Sequence, residues 1–314
     1  MTNFKKIEMR KVYAQTIEKL YEKDKNVYAL EADLSSSMST SKLKQTMGKN
    51  YVDLGIMEAN MIGVASGINL AGGYAFAHSF GQFITRRAMD QVFISLGYAQ
   101  LSACLVGSDA GVTAEHNGGT HMTFEDVSTF RVIPNMKIYD TCDPVQFEYL
   151  LTKAYENKEL TYIRTARKEP EAYIYEVTET FESGAKVLKE GKDVTIIAAG
   201  IEVNEALKAH ALLKKIGIDA QIIDAFRIKP LNEDIILSSA KKTGKIVTCE
   251  NHSVINGLGS AVAELLSEKY PVKMKRVGIQ NRYGQVGKLE YLKKEYQISC
   301  DNIVSNVKDL LKSN

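Results

Sequence analysis

"GIMEANMIGVASGINLAGG" (residues 55–73) runs directly into "YAFAHSF" (residues 74–80). The first piece is apolar and rich in small residues, interrupted by a single carboxylate, Glu58, and predicts a helix from Met57 to Leu70. The second reads as a buried strand, so the pair is half of a βα crossover. Outward from it lie "NVYALEADL" before, then a helical stretch around "TRRAMDQVFISLGYA", strand-like "LSACLVGS" and "KIYDT", a helix ending near Asn157, and strand "LTYIRTAR". This alternation predicts an α/β unit with a parallel sheet over residues 1–175. "IYEVTETFESGAKVLKEGKD" is polar, turn-rich and hairpin-like, and residues 176–192 read as a connector. From Asp193 the alternation restarts with "VTIIAAG", "DAQIIDA", "KIVTCEN" and "VKMKRVGI" as strands between helices, and "NIVSNVKDLLKSN" as a closing helix. Residues 193–314 therefore form a second, smaller parallel-type α/β domain.

A length of 314 residues exceeds one ordinary core, which agrees with two domains. Hydrophobic residues at 45% and charged residues at 25% are the proportions of a soluble globular protein. Forty basic side chains nearly cancel 38 acidic ones, so the electrostatic footprint of a nucleic-acid or anionic-membrane binder is absent. No apolar run is long enough to cross a bilayer. The opening "MTNFKKIEMRKVYAQTIEKLYEKDKN" enters an amphipathic charged helix with no signal-peptide core. Cys104, Cys142, Cys249 and Cys300 are dispersed, without CxxC spacing, and read as reduced core residues of a cytoplasmic protein.

Glu58 stands at a helix start, where an acid is ordinarily worth a few tenths of a kcal/mol, about 0.3–1, against the helix dipole. Ala59, Gly63, Ala65, Ser66 and Gly67 imply that this helix packs closely against another surface. Such packing would desolvate the carboxyl and keep it protonated. "SDAGVTAEHNGGTH" (108–121) gathers two histidines, two acids, an Asn and three glycines after a strand, where open α/β folds bind ligands. His116 and His121 lack the helical spacing of a zinc pair and have no third ligand nearby, so no metal site is expected. In "SFGQFITRRAMDQV", Phe80 and Phe83 precede Arg86 and Arg87; aromatics three apart ordinarily pack a core. "ENHSVINGLGSAVAELL" lacks the order of a dinucleotide fingerprint, so its glycines read as helix-to-strand packing, with Glu250 and His252 at a strand edge.

Six ordered blocks of the first unit, "RKVYAQTI", "ALEADLSSS", "GIMEANMIGVASG", "SFGQFITRRAMDQ", "NGGTHMTFEDV" and "IPNMKIYDTCDP", resemble the carboxyl-terminal part of transketolase, in the form split between two chains. "DAFRIKPLNED" and "ENHSVINGLGSA" extend the resemblance into the second unit. It implies a pyrimidine-binding domain of the thiamine diphosphate-binding fold, then a transketolase C-terminal domain. By it, Glu58 hydrogen-bonds the pyrimidine of thiamine diphosphate, Phe80 and Phe83 stack on that ring, and Asp33 lies close to the thiazolium. His121 contacts the donor carbonyl or hydroxyl and assists proton transfer. Arg10, Ser37 and Arg164 match substrate-phosphate contacts, guanidinium geometry suiting a tetrahedral oxyanion.

Two positions depart from the family pattern. Asn117 replaces an aspartate expected to hydrogen-bond a substrate hydroxyl, and Asp109 falls where a phosphate-contacting histidine is often found. An acid there would repel a dianion, leaving Arg87 or His116 to serve the anion site. The "GDG" motif and following Asn of the domain that holds the diphosphate and Mg²⁺ are missing from this sequence. The resemblance therefore implies an N-terminal transketolase subunit as obligate partner, in an α₂β₂ assembly with the coenzyme at the interface, moving a two-carbon ketol unit from ketose to aldose. A 1-deoxyxylulose-5-phosphate synthase or 2-oxo acid dehydrogenase β subunit shares the domain order, and a non-catalytic assembly subunit is the alternative outside enzymology.

Overall fold

The structure, a computed structural model, describes residues 6–312. The first unit supplies strands β1 (Val27–Glu31), β2 (Tyr51–Asp53), β3 (Tyr74–Phe80), β4 (Ala103–Ser108), β5 (Lys137–Asp140) and β6 (Leu160–Arg164). The second supplies β7 (Lys186–Lys189), β8 (Val194–Ala198), β9 (Ala220–Asp224), β10 (Arg227–Lys229), β11 (Lys245–Ser253) and β12 (Lys273–Ile279). They form a seven-stranded sheet in the order β10-β5-β6-β4-β3-β1-β2 and a five-stranded sheet in the order β12-β11-β8-β9-β7. Both are parallel except for one antiparallel edge strand each, β10 and β7. The expected two-sheet α/β fold is present, with mixed rather than purely parallel sheets.

β3, β4 and β6 are buried along their whole length because helices cover both faces of the sheet. Alternation along β3 sorts its side chains: Phe76 joins Tyr13, Val106 and Phe147 on one side, whereas Ala75 and Ala77 meet Met61, Ile62 and Ala65 of the helix Glu58–Leu70 on the other. The helix Pro144–Glu156 begins where its sequence dictates, with Pro144 in the first turn and Asp143 accepting from the Val145 amide at 2.7 Å. Glu250 receives the amides of Leu258 and Gly259 at 2.8 and 2.9 Å, so the "GLGSA" glycines seat the helix Leu258–Lys269 against β11, the packing role read from the sequence.

Three local expectations change. The single helix read around residues 85–99 is a short turn, Met89–Gln91, running into a π-helical stretch, Val92–Tyr98, after a non-helical Ala88. The segment 176–192 contains β7, which pairs with β9 at the edge of the second sheet. And β10, although it follows β9 in sequence, leaves the second sheet and pairs with β5 in the first. The junction is a continuous core: Tyr175, Phe181 and Phe226 pack edge to face at ring-centre distances of 4.8 and 5.4 Å, in one cluster with Phe147 and Ile196.

Two of the small residues of Glu58–Leu70, Gly63 and Gly67, face open space among the described residues. A side chain built at Gly63 or Gly67 would meet nothing within 4 Å. Ile56 and Met57 just before this helix, Leu70 at its end, and Ile94 and Tyr98 on the adjoining π-helical stretch stand exposed; Ser66 joins that stretch through a 3.0 Å bond to the Ser95 carbonyl.

Candidate active site

The carboxyl ends of β1, β3, β4 and β6 lie side by side, where an open α/β sheet offers its binding crevice. A buried polar string forms the floor. His78 sits in register with Glu31 of the neighbouring strand; its Nδ1 lies 2.7 Å from Glu31 Oε2 and its Nε2 2.9 Å from Ser108 Oγ. Thr40 donates to the second Glu31 oxygen at 2.7 Å. Sequence reading passed over His78, and its only signal was a polar residue centred in an otherwise apolar strand.

Glu58 opens its helix and is 1% exposed. Ser79 Oγ donates to Oε1 at 3.0 Å, and Arg87 Nη1 to Oε2 at 2.7 Å. Glu58 is buried as its small-residue helix implied, and one of its two donors is a cation. The Arg87 guanidinium also lies over Phe83, with Cζ 4.1 Å from the ring centre. Phe80 and Phe83 are 6.1 Å apart, and the His121 ring stands edge-on to both, at 5.8 and 5.3 Å. Thr120 Oγ1 engages His121 Nδ1 at 2.9 Å. Glu58, Phe80, Phe83 and His121 are therefore brought together.

Around this cleft the other expected residues divide. Asp33 is exposed, in a left-handed conformation, its amide held by Asp53 at 2.9 Å. Arg10 forks onto Glu8 and reaches the Ser37 carbonyl at 3.3 Å. Asp109 is buried beside Arg167, whose Nε is 3.1 Å away; burial pushes its carboxyl above the usual range although Arg167 opposes this. Asn117 and His116 are exposed at the end of the 3₁₀ turn Gly111–Asn117. Arg164 is a correction: it is buried and engaged within the protein, with Nε on Asp126 (2.8 Å), Nη1 on Asp140 (2.7 Å) and Nη2 on the Asn251 carbonyl (3.0 Å). The arginine that borders the cleft is Arg167, three residues on, with Cζ 5.4 Å from the Phe80 ring centre.

The second unit grips the loop that carries Asp109 and His121. Asn251 donates to the Ala110 carbonyl and accepts from the Val112 amide, both at 2.9 Å. Gly111 is at φ +56°, and a Cβ there would strike Asn251. Gly119 abuts Gly284, where a Cβ would sit 2.2 Å from the Gly284 carbonyl oxygen.

A planar N–H-bearing guanidinium stacked on Phe83 and bonded to Glu58 does what an aminopyrimidine ring would do in that seat, so these residues fit the pyrimidine half of thiamine diphosphate. Among the described residues, no group of three His, Cys, Asp or Glu side chains gathers as a metal-ligand set, and no helix is long and apolar enough to cross a membrane.

Two α/β units with a buried acid beside an aromatic cleft at the strand ends are the architecture of a ligand-binding α/β protein, and comparisons with known proteins resolve its family. Residues 5–171 match the transketolase pyrimidine-binding domain and residues 183–303 the transketolase C-terminal domain. A 6-deoxy-6-sulfo-D-fructose transketolase subunit from Clostridium sp. (strain MSTE9) is 43% identical over 94% of this chain and 92% of its own length. An apulose-4-phosphate transketolase subunit from Phocaeicola vulgatus is 30% identical over 98% of each. A split-gene transketolase solved as an inactive β4 tetramer superposes with a TM-score of 0.88 at 35% identity, covering 98% of this chain and 99% of that one. The chain belongs to the transketolase family, as a subunit of the split, thiamine diphosphate-dependent kind.

Proposed function

We propose that this chain transfers a two-carbon ketol unit from a ketose to an aldose in an assembly with an N-terminal transketolase subunit that holds the diphosphate and Mg²⁺. The observation that carries the reading is the Glu58–Phe83 seat: a buried carboxylate beside an aromatic face, occupied by a planar cation in this structure. Thiamine diphosphate, when bound, supplies the electron sink that cleavage beside a ketose carbonyl requires. Glu58 would hold the aminopyrimidine by a hydrogen bond at one ring nitrogen, and Phe80 and Phe83 would fix its plane. His121, with Nδ1 on Thr120, offers Nε2 to exchange a proton with a substrate hydroxyl. The open small-residue face at Gly63 and Gly67, with its exposed apolar neighbours, supports close approach of a second chain and an α₂β₂ arrangement. Four free cysteines, three of them buried, agree with a reducing, cytoplasmic setting.

The test is to co-purify the chain with its partner, add thiamine diphosphate and Mg²⁺, and offer a ketose–aldose pair or pyruvate. Ketol exchange without CO₂ release is expected; CO₂ release from pyruvate would overturn the reading in favour of a 2-oxo acid donor. Glu58→Gln should lower kcat at least a hundredfold while gel filtration shows the assembly intact.

A further inference from the structure

Between β12 and the helix Cys300–Lys312 the chain makes an excursion, residues 280–296, that meets the loop carrying His121 at four places. The Leu289 amide donates to Glu115 Oε1 at 3.1 Å. Val286 faces Gly118, where a Cβ would come within 2.9 Å of Val286 Cγ2. Gly284 lies against Gly119 and Met122, and Tyr296 packs edge to face on Phe124 with ring centres 5.3 Å apart. The excursion is itself braced: Tyr296 is buried, and its hydroxyl donates to the Tyr283 carbonyl at 2.8 Å.

His121 takes its backbone position from the turn these contacts press on. Its amide donates to the Gly118 carbonyl at 2.9 Å, and its ring stands edge-on to Phe80 and Phe83. Glu115, at φ +46°, sits in a conformation that side chains rarely adopt, and its carboxylate is held by the Leu289 amide and Lys168. Gly119 and Gly284 both lie outside the left-handed region, so backbone conformation does not require a glycine at either. What requires them is approach: a Cβ at Gly284 would lie 2.8 Å from Gly119 Cα and 2.9 Å from Met122 Cβ, so backbone on one side or the other must move. Val286 is 64% exposed, and core packing does not account for its contact with Gly118.

We propose that Gly284 and Val286 of the second unit are positioning residues for His121, setting the reach of its imidazole through the backbone of residues 118–122. The second unit thereby does more than support assembly: it is the outer half of the mould in which the proton-transfer loop is cast. The role given to His121 rests on the ketol-transfer reading, and the experiment separates the two. The chain is labelled with ¹³C-histidine, the His121 Cε1–H resonance is assigned with His121→Gln, and the partner-bound holoenzyme is compared with its Gly284→Ala form. The ring currents of Phe80 and Phe83 make that resonance sensitive to small displacements of the imidazole. Gly284→Ala should move the resonance and lower kcat roughly tenfold, with affinity for thiamine diphosphate within about twofold of wild type and a melting temperature within a few degrees. Val286→Ala, which removes only the methyls facing Gly118, should act in the same direction to a smaller degree; lying at the surface, it carries the test if Gly284→Ala does not assemble. An unmoved resonance, a displaced one with wild-type kcat, or a fall in kcat that merely follows cofactor affinity or melting temperature overturns the proposal. A displaced resonance in a holoenzyme whose wild type turns over no ketose upholds the placement of His121 by the second unit and removes the ketol-transfer reading instead.

Discussion

Arg87 holds its place in the cleft by contacts that another flat, hydrogen-bonding group can make. Its side chain is 41% exposed, so little packing retains it once a competitor reaches Glu58 and Phe83. Arg87→Ala should therefore bind the free aminopyrimidine fragment of thiamine several-fold more tightly than the wild-type chain, by calorimetry on the isolated subunit. Weaker binding by the variant would show instead that the guanidinium supports the ring. Residue-level legibility was uneven for a physical reason. Glu58 stood out because a lone acid in an apolar helix is conspicuous, Phe80 and Phe83 lie at and just past the end of β3, and His121 belongs to a loop dense in polar residues and glycines after β4. The choice between Arg164 and Arg167 depends on where β6 stops. A strand's last side chain and one three residues beyond it face different surroundings, and composition does not distinguish them.

At the scale of elements, the loop following β4 is shaped from outside its own sheet. Asn251, near the end of β11, supplies two hydrogen bonds that replace water for the backbone of residues 110–112. At about 0.5–1.5 kcal/mol each, their loss is tolerable for the fold but not for the placement of His121. Asn251→Ala is expected to lower kcat/KM roughly tenfold with a melting temperature within a few degrees of wild type, and to speed hydrogen exchange at the Val112 amide. Unchanged exchange would place the control of the loop elsewhere, at the Gly119–Gly284 contact. The long strands were readable because β3, β8 and β9 are buried throughout and bounded by helices. β7 and β10 were not, since four residues alternating half-exposed with exposed, and three around a turn, carry too little periodicity to stand out.

Across the whole molecule, the two units meet over buried acids. Asp224, on β9, accepts from Gln146 of the first unit at 2.8 Å and from Tyr175 at 2.5 Å, and burial raises its carboxyl to about 7. Glu250 is likewise raised to about 7 by burial, whereas burial holds His252 down at about 4. A raised acid binds its proton more readily folded than unfolded. The stability Asp224 contributes is therefore complete below its unfolded value near 4 and is lost as pH climbs through about 7, a span worth on the order of 4 kcal/mol. Glu250 acts in the same sense; His252 opposes both, since its share is lost as pH falls from 6.5 toward 4. Asp224→Asn, which cannot ionise, should gain in melting temperature relative to wild type as pH is raised from 5 to 8. A constant offset between the two curves would mean that Asp224 stays accessible to water.

The exchange of β10 has a bearing on heredity. A gene break or a recombination point placed between the two halves of this chain would leave the first sheet without its outermost strand, since that strand, Arg227–Lys229, is encoded well beyond the connector. The smallest piece that can be shuffled, fused or inherited intact is accordingly the pair, not either half.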